Sequence, residues 1–180
     1  MFRLKAPALL LAAALVVTAL APAAANDDMR WQAFTYNDET NKGRLTAHLT
    51  LGVPETDARQ FQSICSPGSS YKSATTIIGY DPGRLKTGTP VTLIFEASGR
   101  AGRETYQLRG EIYLPNQEEG LSGILVRPDT RHKLWEILST YRTVRYRIEG
   151  SSHADMPLKG SSRAIDKFLR DCRNIFGDRN

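Results

Sequence analysis

The sequence predicts a mainly β protein of the α+β class: a single antiparallel β-sandwich or partly open barrel, with a short helix and a C-terminal amphipathic helix packed on it. Two observations predict this fold class. Short segments in which apolar and polar residues alternate follow one another from residue 31 to residue 127, and turn-forming residues separate them. Apolar residues at helical spacing occur later, within residues 130–139 and 162–176. No repeat or linker divides these segments, so we expect one domain.

The N-terminal 25 residues are expected to be a signal peptide that does not belong to the fold. The basic start MFRLK precedes an almost wholly apolar run, residues 6–25, which ends in three alanines that signal peptidase accepts. An uncleaved membrane anchor is the alternative, because about 20 apolar residues can span a bilayer. Two prolines in the run favour cleavage, which we place after Ala25. Residues 26–180 would then form a β-rich domain, without a membrane span, in the periplasm or outside the cell.

Six alternating segments predict the strands of the first part of the chain. They are WQAFTY (31–36), RLTAHLTLGV (44–53), KSATTIIGY (72–80), VTLIFEA (91–97), ETYQLRGEIYL (104–114) and LSGILVR (121–127). The pattern is clearest in the second segment, where one face is predicted to be buried. That face carries Leu45, Ala47, Leu49, Leu51 and Val53.

Residues 54–65 fit more than one structure. PETD can begin a helix, with Thr56 as its cap, or form a turn. RQFQSIC (59–65) fits a strand with Phe61 and Cys65 on one side, and a short helix fits almost as well. Whether residues 56–65 are helix or strand therefore stays open. Polar, glycine-rich or proline-rich turns are predicted at 37–43, 66–71, 81–90, 98–103 and 115–120.

The last part of the chain is predicted to contain two helices and two further strands. A short helix at 130–139 has an apolar stripe with Trp135 beside it, and the stripe comprises Leu134, Ile137 and Leu138. Strand 141–150 follows, with Val144, Tyr146 and Ile148 on its inner face, and then a short strand at 156–160.

The C-terminal helix is predicted from apolar residues at i, i+3, i+4, i+7, i+10 and i+11. These residues are Ile165, Phe168, Leu169, Cys172, Ile175 and Phe176. We expect Ser161 or Ser162 to cap the start of the helix and Gly177 to suit its end. We interpret this helix as the element that covers the β body.

The chain has two cysteines, Cys65 and Cys172, and we predict that they form a disulfide bond. A redox-active pair would have the close spacing C-x-x-C, which is absent. The chain-entropy model assigns up to roughly 4–5 kcal/mol to a bridge that closes a loop of about 100 residues.

The sequence carries no recognisable catalytic or metal-binding motif. His48, His132 and His153 are not at metal-ligand spacing, and no HExxH, GxSxG, P-loop or dinucleotide fingerprint occurs. We interpret His48, on the polar face of its strand, as a solvated residue. We therefore expect no enzyme, no metal and no other cofactor.

A group of basic residues late in the chain is the feature with most functional content. It comprises Arg127, Arg131, Lys133, Arg142, Arg145 and Arg147. Arg145 and Arg147 share the strand face opposite Val144 and Tyr146, and a row of arginines can bind carboxylates or phosphates through bidentate hydrogen bonds. An ordinary solvated charged face is the alternative. Tyr146, the aromatic residue between Arg145 and Arg147, is predicted to point to the opposite face of the strand. The formal net charge of +5 falls to +3 without Arg3 and Lys5 of the signal peptide, so we do not expect nucleic-acid binding.

The late module resembles the C-terminal part of small exported proteins of the invasion-associated locus B family. The resemblance covers residues 128–175: a short helix around LWEIL, the strands TVRYRIEG and MPLKGSS, and the helix SRAIDKFLRDC. The module is also similar to accessory periplasmic proteins of type VI secretion and to other small exported β-rich proteins of alphaproteobacteria. The resemblance implies an envelope or secreted β-rich protein without catalytic activity, in which Cys172 has a structural role.

Together these observations suggest a non-catalytic binding or interaction protein of the bacterial cell envelope. Its partner would be another envelope protein, bound through the arginine strand or the loops 80–90 and 98–103. Two alternatives remain: a binder of anionic envelope ligands, such as lipid head groups or acidic polysaccharide, and an inhibitor of an envelope hydrolase. The sequence does not specify the oligomeric state.

Overall fold

A computed structural model describes residues 28–38, 44–67, 73–100, 102–115 and 120–177, and it confirms the mainly β fold class. Within these ranges the chain forms nine strands and two helices. In chain order they are β1 (Arg30–Asp38), β2 (Arg44–Gly52), β3 (Arg59–Cys65), β4 (Thr75–Gly79), β5 (Pro90–Gly99), β6 (Gly102–Tyr113), β7 (Gly123–Val126), α1 (Lys133–Thr140), β8 (Thr143–Ile148), β9 (Ala154–Pro157) and α2 (Ser161–Phe176). The predicted signal peptide lies outside the described residues.

The nine strands form one antiparallel sheet in the order β1-β2-β3-β4-β7-β6-β5-β8-β9. Contacts between residues of distant strands across its interior show that the sheet is curved. Tyr146 of β8 is buried, and its hydroxyl donates a hydrogen bond to the carbonyl oxygen of Gly79 in β4 at 2.6 Å. Burial raises the pKa of this tyrosine to about 12. The architecture is consistent with a β-sandwich or partly open barrel.

The core occupies the inner face of this sheet, as the alternation of the strands predicted. Its largest fully buried strand residues are Leu49, Leu51, Phe61, Ile78, Leu93, Phe95, Ile112, Ile124 and Tyr146. Two residues depart from the predicted face: 45% of Leu45 is exposed, and Val53 lies beyond the end of β2, half-buried in the following turn. Leu45 pairs with Asn37 close to the start of β2, two residues before the buried Ala47 on the same face.

The ambiguous segment 56–65 contains a tight turn followed by a strand. Residues 53–58 form the turn, in which Thr56 Oγ1 accepts a hydrogen bond from the Ala58 N–H at 3.2 Å. β3 then begins at Arg59, and Phe61 and Cys65 both point into the core. The alternative of a helix in this segment is therefore wrong.

α1 buries the predicted stripe of Leu134, Ile137 and Leu138, and it also buries Trp135. The indole N–H of Trp135 donates a hydrogen bond to the carbonyl oxygen of Asp129 at 2.7 Å. The polar end of this side chain is thereby satisfied inside the protein.

α2 packs against α1, β1 and β2, and its central residues Ile165, Phe168 and Cys172 are buried. The other three residues of the predicted stripe are half-buried. The predicted serine cap is wrong. Gly160, with a left-handed φ of 87°, precedes the helix, and Ser161 Oγ donates to the Leu158 carbonyl oxygen at 2.8 Å. Gly177 ends the helix with a left-handed φ of 73°, as predicted.

The disulfide bond between Cys65 and Cys172 is present, as predicted, and it joins the end of β3 to α2. The two residues are 107 positions apart in the chain. The bond therefore anchors the C-terminal helix to the first half of the sheet. In the part of the chain that the structure describes, neither helix has the length and apolar character needed to cross a membrane.

Candidate functional site

The predicted basic residues do not converge on a single site, and several of them already contact carboxylates of the chain. Arg145 and Arg147 lie on the outer face of β8, beside Glu96 of β5. The Glu96 carboxylate lies 3.1 Å from Arg145, 3.8 Å from Arg147 and 3.0 Å from Nε2 of His153. These contacts lower the pKa of Glu96. The hydrogen bond with His153 is the main cause, and the charges of His153 and both arginines add to it, while burial partly opposes the shift of the pKa.

Of the remaining four basic residues, one follows β7 and the other three lie at the two ends of α1. Arg127 forms an ion pair with Glu111 at 3.2 Å, and Lys133 forms one with Glu104. Arg131 and Arg142 are exposed, one before α1 and one after it. Four of the six predicted cations thus have carboxylate partners within the chain. An external anion would have to compete with those carboxylates.

A groove that the sequence interpretation missed lies on the outer face of β1, β2 and β3, on the side of the sheet away from the core. Its volume is about 560 Å³. It is bounded by three strands and by the turn between β2 and β3. Its lining residues are Gln32, Phe34, Tyr36, His48, Thr50, Gly52, Val53, Pro54, Glu55, Thr56, Asp57, Arg59 and Gln62. We call this feature the aromatic groove.

Two exposed aromatic side chains give the groove its character. Phe34 and Tyr36 are 42% and 44% exposed, and both point outward from β1. Their ring centroids lie 6.4 Å apart with an interplanar angle of 23°, which is a stacked arrangement. They form a continuous apolar surface at one end of the groove.

His48 supports the two aromatic rings from the neighbouring strand. It pairs with Phe34 in the β1–β2 register, and its ring stacks on Phe34 with a centroid distance of 5.3 Å and an angle of 14°. Its centroid lies 4.7 Å from that of Tyr36. Only 7% of His48 is exposed, so its interpretation as a solvated residue is wrong. The cause is its cross-strand neighbours, whose rings cover it.

The turn between β2 and β3 forms the opposite, acidic wall of the groove. Glu55 sits at the tip of this turn with a left-handed φ of 62°, and Asp57 follows it. A backbone hydrogen bond from the Val53 N–H to the Ala58 carbonyl oxygen at 2.9 Å closes the turn. A side chain at Gly52 would approach the Ala58 carbonyl oxygen to 2.6 Å, so the close chain crossing requires glycine there.

The floor between these walls carries hydrogen-bonding side chains. Gln32, Thr50 and Gln62 share one line across the three strands, and Arg59 lies beside the acidic wall. An apolar platform, amide and hydroxyl groups, and two carboxylates can together orient a ligand with one apolar face and several donors. Among the described residues, no group of three or more His, Cys, Asp and Glu side chains could hold a metal ion.

A second polar cluster surrounds the start of α1 and has a structural role. His132 caps this helix, because its Nδ1 accepts a hydrogen bond from the Leu134 N–H at 3.3 Å. Its Nε2 lies 3.3 Å from the hydroxyl of Tyr106. Burial lowers the pKa of His132, and the nearby Asp129 opposes this shift in part. The neutral ring is the form that can accept the capping bond.

Sequence alternation contains one clue to the aromatic groove. In β1, Trp31 points into the core, whereas Phe34 and Tyr36 occupy positions of the opposite parity. A strand that carries large aromatic residues on both faces must expose one set or cover it with another element. The position of His48 and of the acidic turn beside them depends on strand register, which the sequence does not specify.

Comparison of the chain with models of protein families, with curated proteins and with solved structures gives no match. The resemblance to exported proteins of the invasion-associated locus B family stays a prediction.

Proposed function

We propose that the chain is an exported, non-catalytic binding protein of the bacterial cell envelope, and that the aromatic groove is its recognition surface. The observation that carries this proposal is the pair Phe34 and Tyr36, whose rings are exposed side by side while His48 fixes them from behind. Exposed aromatic pairs beside a preformed groove are typical of binding surfaces, because burying them on association supplies much of the binding free energy.

The lining residues specify what the partner presents to the groove. An apolar side chain of the partner would pack on Phe34 and Tyr36. Donor groups next to it would bind Glu55 and Asp57, and an acceptor would bind Arg59. A folded envelope protein can supply this mixture in one surface patch. An envelope hydrolase would be one partner of this kind, and the chain would then act as its inhibitor.

The disulfide bond supports the export that this proposal includes. Disulfide bonds persist in oxidising compartments and are rare in the cytosol of mesophiles. The bond between Cys65 and Cys172, together with the leader-like residues 1–25, favours the periplasm or the cell exterior.

Binding of anionic envelope ligands through the arginines is the weaker alternative. Arg145 and Arg147 share Glu96, and a lipid phosphate or an acidic polysaccharide would have to displace that carboxylate. Exposed ion pairs are weak, so displacement is possible, but the neutralised surface attracts anions less than the arginine count implies.

Affinity capture from a native envelope extract tests the proposal. Oxidised protein comprising residues 26–180 serves as bait, with washes at low and moderate salt. The double variant Phe34→Ser with Tyr36→Ser is compared with Leu85→Ser, which removes another exposed apolar side chain (39% exposed) far from the groove in sequence. We expect a discrete protein that survives the moderate-salt wash, is lost with the double variant and is retained by Leu85→Ser.

A different result would favour the alternative. Capture that disappears with salt and with Arg145→Glu plus Arg147→Glu, but persists in the Phe34 and Tyr36 variant, would contradict the groove as the recognition surface.

A further inference from the structure

β1 is an open edge of the sheet. Among the described strands it stands at one end of the order and pairs with β2 alone, so alternate backbone N–H and C=O groups along its nine residues point away from the sheet. It contains no proline. The opposite edge is different: β9 has four residues and ends in Pro157, whose carbonyl oxygen accepts the indole N–H of Trp31.

A basic groove runs along the open edge between β1 and α2. Its volume is about 470 Å³, and its apolar part is formed by Trp31 and Ala33 of β1 and by Ala164 of α2. The helix adds three cations on the same side, which are Arg163, Lys167 and Arg170.

These cations are available to a partner to different degrees. Lys167 forms an ion pair with Asp171 at 2.7 Å. Arg163 and Arg170 are exposed, and neither lies within ion-pair distance of a carboxylate in the described ranges of the chain. The two arginines therefore differ from Arg145 and Arg147, which share Glu96.

We propose that β1 accepts an added β-strand from a partner protein, and that this strand carries acidic residues at alternate positions. Main-chain hydrogen bonds to the open edge would supply affinity, and the side-chain alternation would supply specificity. Because side chains of a strand point to opposite faces in turn, one set would meet Arg163 and Arg170, and the other would lie on the face of Phe34 and Tyr36. The added strand would lie beside Phe34 and Tyr36 on its outward face, so the inference goes beyond the proposed function at a neighbouring surface. Variants of Arg163 and Arg170 test it separately from the aromatic groove, which they do not line.

Synthetic peptides provide the probe. A short labelled peptide in which Glu and Val alternate is titrated against the oxidised protein, and binding is followed by fluorescence anisotropy. Two control peptides separate the contributions: one in which Lys replaces Glu, and one in which proline replaces two central valines and so blocks strand pairing at unchanged charge. Hydrogen exchange of the β1 amides, with and without peptide, reports whether the edge becomes paired.

We expect the Glu–Val peptide to bind and to slow exchange in β1, and we expect both control peptides to bind more weakly. Arg163→Glu with Arg170→Glu should weaken binding on the order of tenfold, because two exposed attractive pairs become repulsive. The matched control, Arg131→Glu with Arg142→Glu, makes the same charge change at exposed sites around α1 and should leave binding unchanged.

Three results would overturn the proposal. The first is the absence of binding by the Glu–Val peptide, and the second is equal binding by the proline peptide. The third is a dimer in sedimentation that hydrogen exchange locates at β1, because the edge would then pair with a second copy of the chain.

Discussion

The indole N–H of Trp31 in β1 donates a hydrogen bond to the carbonyl oxygen of Pro157 in β9 at 2.7 Å. These two strands are the opposite ends of the nine-stranded sheet, so the bond links them at the start of β1, while the β1 backbone pairs with β2. The ring of Trp31 also contacts Phe61 with a centroid distance of 5.2 Å. One side chain thus contributes both to the core and to a contact between the two end strands.

Trp31→Phe tests that contact. The substitution keeps an aromatic ring near Phe61 but removes the donor, and we expect the free energy of unfolding to fall by about 1–2 kcal/mol. Hydrogen exchange should become faster in β9 in particular. Trp135→Phe is the matched control, since it removes an indole bond to Asp129 that lies away from the sheet ends. Unchanged exchange in β9 would show that Trp31 does not hold the edge.

The disulfide bond should account for a large share of the stability. Cys172→Ser with Cys65→Ser removes a cross-link over 107 positions, and we expect a loss of about 2–4 kcal/mol and a clearly lower melting temperature. Reducing agent should destabilise the natural protein and leave the double variant unaffected. Equal melting temperatures of the two oxidised proteins would contradict the anchoring role of this bond.

Phe168 connects the two helices, because its fully buried ring lies 5.6 Å from that of Trp135. Phe168→Ala should reduce the free energy of unfolding by about 3–5 kcal/mol, measured by urea denaturation, since it removes a fully buried ring and leaves a cavity in the core. Phe176→Ala removes a half-buried ring at the end of the same helix and should cost less. A similar small cost for both would indicate that α2 is peripheral to the core.

His132 predicts a dependence of stability on pH. Because burial lowers its pKa in the folded protein, the unfolded chain binds the proton first as the pH falls. The stabilisation is therefore complete above the unfolded value of about 6.5 and is lost as the pH falls from there toward the folded pKa. Protonation also removes the acceptor that caps α1.

The substitution His132→Asn separates these effects. Asparagine is a good helix cap and does not titrate, so the variant should be about as stable as the natural protein at pH 8 and relatively more stable at pH 5. Urea denaturation midpoints at the two pH values provide the measurement. A variant with the same loss of stability between pH 8 and pH 5 as the natural protein would assign the effect to other groups.

The predictable part of the fold is the part that local alternation determines. Leu49 and Leu51 could be placed in the core because polar residues alternate with them along the strand, and α2 could be placed because its apolar residues repeat at helical spacing. Residues 59–65 could not be assigned, since the four-residue separation of Phe61 and Cys65 fits one face of a strand and one face of a helix equally well.

The candidate sites depend on long-range contacts, which the alternation of apolar and polar residues does not reveal. His48 occupies an outward position, but only the β1–β2 register shows that Phe34 and Tyr36 cover it. Arg145 and Arg147 are close in sequence, whereas their partner Glu96 lies 49 positions before Arg145, in another strand. Long-range pairing therefore decides which predicted charges are available to a ligand.

The measurement that tests the central claim most directly is an NMR titration of the oxidised protein, residues 26–180, with the partner recovered by affinity capture. If the aromatic groove is the recognition surface, we expect the largest shifts of backbone amide signals within residues 32–36, 48–50 and 55–59, which contain groove-lining residues. Shifts confined to Arg145, Arg147 and the neighbouring residues of β5, with the groove unaffected, would contradict it.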